Sequence, residues 1–297
     1  MTPLQHGRGK DAPGASLRSG RAALHGAVLL FGLAGLFGKW VTVGPVLIVF
    51  GRVIFGAGAW GALLGWLGQD FRPREQRPLL LATAAILFFH WVAFFQSVQV
   101  SSVAIALLSY STAPMFTALL EPWWFRERFS LHDLLAALLT LAGIAVMVLP
   151  LDADEAVRRG VAWGVAAGLS FALLSLGNRG LRRHYDSTAL IFFQTTLVGV
   201  LVLPVLPFVW GPFPLKDIAL LAALGLIGTT AHSLFVQALT TVRVREATLV
   251  GNLEPVYGTL LAALLLAEIP SLRTLAGGFL ILLAAGWVTL RGGPPPT

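Results

Sequence analysis

The sequence predicts an all-α polytopic membrane protein whose ten transmembrane helices form two inverted five-helix repeats. Three observations predict it. Of the 297 residues 56% are hydrophobic and only 12% charged, with a mean hydropathy of +0.79, whereas soluble domains carry about 25% charge. Apolar runs long enough to cross a bilayer recur between short polar punctuations. A shift of 141 residues lays polar residues and prolines of the first half onto those of the second.

In chain order, the apolar runs place spans at residues 22–40, 45–68, 78–98, 103–124, 131–150, 160–177, 187–209, 217–240, 246–267 and 273–290. A hydrocarbon core about 30 Å thick takes roughly 20 residues per helix, so these spans with short connections leave no room for an extramembrane domain. Every backbone N–H in the bilayer needs a partner within the protein, and the strict alternation of a barrel strand is missing, so the runs are helices. Residues 1–21, with Pro3, Pro13 and four basic residues, are expected to be a disordered cytoplasmic tail, and 292–297 a second disordered end. The basic tail before an apolar run superficially resembles a signal peptide, but nine further apolar segments argue for a retained first span. The repeats are then 22–150 and 151–291.

Charge sets the orientation. With the N-terminus in the cytoplasm, 15 of the 21 basic residues fall in the N-terminal tail, at 72–77, 126–128, 179–183 and 243–245, and at Arg291. Lys39, Arg158, Arg159, Lys216 and Arg273 fall outside, and Arg52 lies within a span. Both termini are therefore expected in the cytoplasm. The formal charge of +7 sits in small groups between apolar stretches, the pattern of membrane topology and not of nucleic-acid binding.

The 141-residue shift pairs Phe94 with Phe235, Gln96 with Gln237, Ala106 with Ala247, Pro114 with Pro255, Glu127 with Glu268 and Ser130 with Ser271, without a gap. Leucines match by chance in so apolar a chain; a shared proline, glutamine, glutamate and serine at one shift do not. Five spans per repeat is an odd number, so the second copy is inverted. Inverted repeats around a central site are a recurring plan of secondary transporters, because rocking one half against the other exposes the site to either side.

Pro114 and Pro255 fall inside the fourth and ninth spans, where each removes a backbone donor to the carbonyl four residues earlier, that of Tyr110 or Gly251. Helix breaks at matched places point to a binding region near the midplane; the alternative is that the prolines merely bend helices for packing. Polar residues inside spans are costly and face the bundle interior. They are Arg52, His90, Gln96, Ser109, Tyr110, Gln194, His232, Gln237, Asn252 and Glu254, with Trp91, Phe94 and Trp163 as aromatic neighbours.

From these the expected substrate-binding set is His90, Trp91, Phe94, Ser109, Tyr110, Trp163, Gln194, Asn252 and Glu254. His90 can hydrogen-bond a zwitterion or take a proton, or can simply pack. Tyr110 offers a hydroxyl and an aromatic face. Glu254 can bind an ammonium group or carry a proton, or pair with Arg243, Arg245 or another helix. Arg52 can attract a carboxylate, or tie helices together and snorkel outward. Helix-to-helix hydrogen bonding is the competing explanation for all of them. Glu127 and Glu268, each ahead of a serine at the next helix start, suit capped turns. Glycines at 160, 164 and 168, and at 61 and 65, make faces for close helix crossing.

With no cysteine, thiol catalysis, thiolate metal sites and disulfides are excluded. The six histidines do not cluster at ligand spacing, and no zincin, phosphate-loop or nucleophile-elbow motif occurs. No metal and no cofactor is expected, and an intramembrane enzyme is the minority reading.

The halves, each with a proline in its fourth helix within Ser111, Thr112, Ala113, Pro114 and Asn252, Leu253, Glu254, Pro255, Val256, and each with a glutamate at the helix end, Glu127 or Glu268, resemble the drug/metabolite transporter superfamily. Within it the chain is similar to EamA-type ten-helix permeases, and most like bacterial YddG-type amino-acid exporters. The resemblance implies export across the inner membrane through a central cavity lined by the third, fourth, sixth and ninth helices among others. It implies a small-molecule substrate, amino acids foremost, with drugs or other metabolites as the alternative. One chain holds both halves, so a monomer suffices for the site and a dimer stays open.

Overall fold

The computed structural model describes residues 13–66, 75–125, 131–149, 154–181, 184–185, 187–238 and 250–291. The described residues are helical with short connections. The helices are α1 Pro13–Trp40, α2 Pro45–Trp66, α3 Arg77–Val100, α4 Val103–Tyr110, α5 Ala113–Phe125, α6 Leu131–Val148, α7 Glu155–Leu181, α8 Ser187–Val202, α9 Leu206–Val209, α10 Leu215–Ala238, α11 Glu254–Leu266 and α12 Leu272–Arg291. Among the described residues six spans are long and apolar enough to cross a membrane, and Leu134–Val148, Ala189–Val202, Glu254–Leu266 and Leu272–Trp287 are shorter apolar helices. Counting α4 with α5 as one span and α9 as an appendix to the seventh gives ten spans among the described residues.

Three elements differ from expectation. The first helix begins at Pro13, inside the stretch expected to be a disordered tail to residue 21. Proline at a first-turn position is pre-set for helix, and Ala, Leu and Arg follow it; hydropathy marks where a helix leaves the bilayer, not where it ends. The seventh span stops at Val202, because Pro204 cannot continue it, and resumes as the short α9. The fourth span is two helices, discussed below. The expected loops at 72–74, 126–128 and 243–245, the turn residues Glu127 and Ser130, and the terminal stretches 1–12 and 292–297 lie outside the described residues.

The most extensive helix contacts follow a pseudo-two-fold exchange of each span with the one five places on. The third span packs on the sixth as the eighth packs on the first; the fourth on the sixth as the ninth on the first; the third on the seventh as the eighth on the second. The fifth packs on the tenth, the second on the seventh and the fourth on the ninth, each pair mapping onto itself. An inverted duplication requires this pattern. It extends to the first helix of each half at a shift of 140, where Phe31 matches Phe171 and Lys39 matches Arg179.

Small residues allow the closest crossings. A Cβ on Gly160 would lie 2.1 Å from Ser101 Oγ, one on Gly164 2.5 Å from Ser109 Cβ, and one on Gly168 2.5 Å from Thr112 Oγ1. This stripe lets α7 press on the fourth span where it breaks. Gly61 differs, since a Cβ there would make ordinary contact at 3.5 Å with Phe192.

On the side opposite the chain termini, Glu268 follows Ala267, held left-handed at φ 54°. Its Oε2 accepts the Val103 N–H at 3.0 Å, at the start of α4, and its Oε1 lies 3.5 Å from Lys39 Nζ. Ser271 Oγ caps α12 by accepting the Thr274 N–H at 3.1 Å. Asp217, fully buried, ties the eighth span to the turn after α1: its Oδ2 accepts Thr42 Oγ1 at 2.7 Å and the N–H groups of Thr42 and Val43 at 2.9 and 3.2 Å. On the terminal side Arg179 of α7 pairs with Glu121 of α5.

Candidate functional site

Both halves break where their prolines begin a helix. The fourth span turns at Ser111 and Thr112 between α4 and α5, and the ninth turns at Asn252 and Leu253 before α11. The two turns coincide at the 141-residue shift. Pro114 and Pro255 sit in the first turn of α5 and α11, where a missing N–H costs least. Hydroxyls cover carbonyls around the first break: Ser111 Oγ donates to Leu107 O at 2.9 Å and Thr112 Oγ1 to Ser109 O at 2.8 Å.

Beside the first break lies an aromatic cluster drawn from three spans. The His90 ring is 5.5 Å from that of Tyr110 and 5.4 Å from that of Phe171; Tyr110 is 5.4 Å from Phe171 and 6.0 Å from Phe94. Edge and tilted arrangements at these separations are the favourable ones. His90 Nδ1 is 2.9 Å from Ala167 O on α7. A carbonyl only accepts, so Nδ1 carries the proton and Nε2 of the neutral ring is the acceptor. That bond fixes the imidazole as part of the wall.

Arg52 of α2 does not snorkel. Its guanidinium stacks 4.1 Å above the Trp91 ring and 6.0 Å from that of Phe95. Its Nη2 faces Gly228 of α10, where an added Cβ would lie 3.2 Å away. His90 and His232 are both within its electrostatic range. No carboxylate pairs with it among the described residues. Glu254, at the start of α11, is within electrostatic range of Tyr110, and its side chain forms neither an ion pair nor a hydrogen bond among the described residues. Both charged side chains are half-buried, as are Trp91, Phe94, Tyr110 and His232, although these residues lie within the spans of a helical bundle. Arg52 thus stacks on Trp91, which adjoins His90 of the aromatic cluster, and Glu254 lies within electrostatic range of Tyr110 in the same cluster.

The structure therefore brings together His90, Trp91, Phe94, Tyr110 and Glu254, with Asn252 at the second break. Three expected residues are elsewhere. Gln194 is buried and its Nε2 donates to Thr83 Oγ1 at 2.8 Å and Asn178 Oδ1 at 2.7 Å. Thr83 lies two turns, about 10 Å, along α3 from His90, so Gln194 joins helices. Ser109 is fully buried against the Gly164 crossing. Trp163 is half-buried on α7, about 12 Å along the helix from Phe171, and contributes no ring to the cluster.

Phe171 and Phe31 were not among the expected residues. Phe31 packs edge-on against His232 at 5.7 Å and lies 6.4 Å from Phe235. A phenylalanine within an apolar run carries no signal of its own; its recurrence at the 140-residue shift does.

Comparison with known proteins agrees with this architecture. The EamA-like transporter family matches twice, over residues 18–149 and 158–290, once per half. An uncharacterized transporter of Archaeoglobus fulgidus is 25% identical over 90% of this chain and 94% of its own length. The Bacillus subtilis transporter YxxF, also uncharacterized, is 26% identical over 61% of this chain, a match spanning 60% of that relative. A protein of Rickettsia bellii named as an S-adenosylmethionine uptake transporter is 22% identical over 70% of this chain and 72% of its own. A crystal structure 20% identical in sequence shares the fold with a TM-score of 0.61, covering 94% of this chain and 98% of the other. With both halves matched by one family of multi-pass transporters, the chain belongs to the EamA-like transporter family.

Proposed function

We propose that this transporter exports small zwitterionic metabolites, amino acids foremost, from cytoplasm to periplasm by alternating access across the bacterial inner membrane, with both termini cytoplasmic. One observation carries the substrate class. Arg52 and Glu254 are opposite charges flanking one aromatic cluster, and neither is paired with a described residue. An uncompensated charge inside the membrane is costly. Two that are kept apart instead of paired are accounted for when a ligand supplies both partners, a carboxylate for the guanidinium and an ammonium for Glu254. The half-buried rings of Tyr110, Phe94 and Trp91 supply apolar walls, as binding sites with a few fixed polar groups do. Alternating access is supported by the inverted halves and their matched breaks. The inside assignment of the termini rests on the distribution of basic residues.

The Rickettsia relatives favour a second reading, uptake of S-adenosylmethionine. That molecule also carries an amino-acid head, so the charge argument applies to it equally; direction and side group differ. Counterflow in proteoliposomes tests both readings. Purified protein is preloaded with a panel of amino acids and S-adenosylmethionine, and each labelled compound is presented outside. Saturable exchange of amino acids supports the first reading, exchange of S-adenosylmethionine alone the second, and exchange of neither refutes the zwitterion assignment.

A further inference from the structure

The inverted repeat also shows what the second half lacks. On one side of the pseudo-two-fold axis, Tyr110 fills the corner between Phe94 and Phe171. Their counterparts across the axis, Phe235 and Phe31, are present and adjacent, with His232 packed on Phe31. The counterpart of Tyr110 is Gly251. A Cβ built there meets no described atom within 4 Å.

Gly251 belongs on the inner face. It shares a helical stripe with Pro255, Gly258 and Ala262, four, seven and eleven residues on, all buried. Gly258 on this stripe abuts Gly32 of α1 and Leu107 of α4. The ninth span stays close to helical through its turn, with Leu253 N–H bonded to Val250 O and Tyr257 N–H to Leu253 O, both at 2.9 Å. Glu254 lies one turn from Gly251 in the same segment.

We propose that this corner is a side-group subsite, that it takes an apolar group about the size of an aromatic ring, and that Gly251 sets the upper size of the transported molecule. The proposal rests on the zwitterion reading for the head group: Arg52 and Glu254 hold the charged end while the side group fills the corner opposite Tyr110. Selectivity then comes from a place where one half carries an aromatic side chain and the other none. An aromatic side chain covers about 150–250 Å² of surface when buried, so a phenylalanine at position 251 fills the corner that a ligand ring would otherwise occupy.

Two measurements test it. In counterflow, Gly251→Phe should lower exchange of phenylalanine-sized substrates relative to alanine-sized ones by about tenfold or more, the discrimination a filled apolar pocket gives. Gly251→Ala should change the ratio little. An equal fall for all substrates in folded protein, or an unchanged ratio, overturns the proposal. The second readout needs no substrate. The chain has no cysteine, so Gly251→Cys introduces a single thiol, and a charged, membrane-impermeant methanethiosulfonate reports whether it faces water. Fast reaction at Gly251→Cys, against none at the exposed outer-face Leu260→Cys, is the expected result; an inert thiol at 251 overturns the subsite. Failure of the zwitterion reading would instead appear as a wild type that exchanges no amino acid, and the thiol result would then decide the subsite by itself.

Discussion

Substitution of Gly164 by valine is the sharpest test of how the fold builds the site. The first added atom, a Cβ, would lie 2.5 Å from Ser109 Cβ and 3.3 Å from the Ala106 carbonyl. Both belong to the fourth span just ahead of its break, and neither is the free end of a flexible chain. Ordinary carbon contacts begin near 3.5 Å, so α7 must withdraw by about 1 Å, and the two valine methyls increase the demand. Overpacking of this kind costs about 1–3 kcal/mol. Replacing a helical glycine by the β-branched valine returns only about 0.5 kcal/mol, leaving a net destabilisation of about 0.5–2.5 kcal/mol. Because α7 also carries Ala167 and Phe171, the same displacement stretches the bond to His90 and opens the Tyr110 cluster. Thermal unfolding in detergent, followed by intrinsic tryptophan fluorescence, should show a lower midpoint for Gly164→Val. It should show an equal or higher one for Gly61→Ala, whose new Cβ is 3.5 Å from Phe192. Equal midpoints for Gly164→Val and wild type would refute the close crossing.

Two further outcomes follow from the same geometry. Asp217→Ala strands three donors, Thr42 N–H and Oγ1–H and Val43 N–H. At about 1–3 kcal/mol per unsatisfied buried group, it should destabilise by several kcal/mol, with Asp217→Asn losing less; an unchanged unfolding midpoint for both refutes that anchor. Topology is testable in the cysteine-free chain: Asp154→Cys, in the exposed connection before α7, should react with an impermeant thiol reagent added outside intact cells, whereas Glu75→Cys, exposed before α3, should react only after the membrane is opened. The reverse pattern would invert the orientation.

Much of the fold was legible because a bilayer restricts the possibilities. Hydropathy located the spans, and a repeated proline located both turns, since Pro114 and Pro255 can only begin a helix or disrupt one. Composition was a poorer guide to side-chain direction. Gln194 and Glu254 are both polar residues inside spans, yet Gln194 spends its amide on Thr83 and Asn178 while Glu254 remains unpaired among the described residues. Only the neighbouring helix decides between the two. Phe171 was hidden among the other apolar residues of its span, and Ser109, drawn into the site as a polar residue within a span, faces the α7 crossing instead. Arg52 was visible as an oddity in the second span, but its stacking on Trp91 joins residues far apart in sequence.

The most direct test of the zwitterion account is counterflow with the two charges removed one at a time. Wild type, Arg52→Gln and Glu254→Gln are compared on an amino acid, the matching primary amine lacking the carboxylate, and the matching acid lacking the amine. A charged hydrogen bond contributes about 1.5–3 kcal/mol, so each variant should weaken amino-acid exchange by about 10–100-fold. Arg52→Gln should then lose its preference for the amino acid over the amine, and Glu254→Gln its preference over the acid. Undiminished amino-acid exchange by both folded variants would contradict the account.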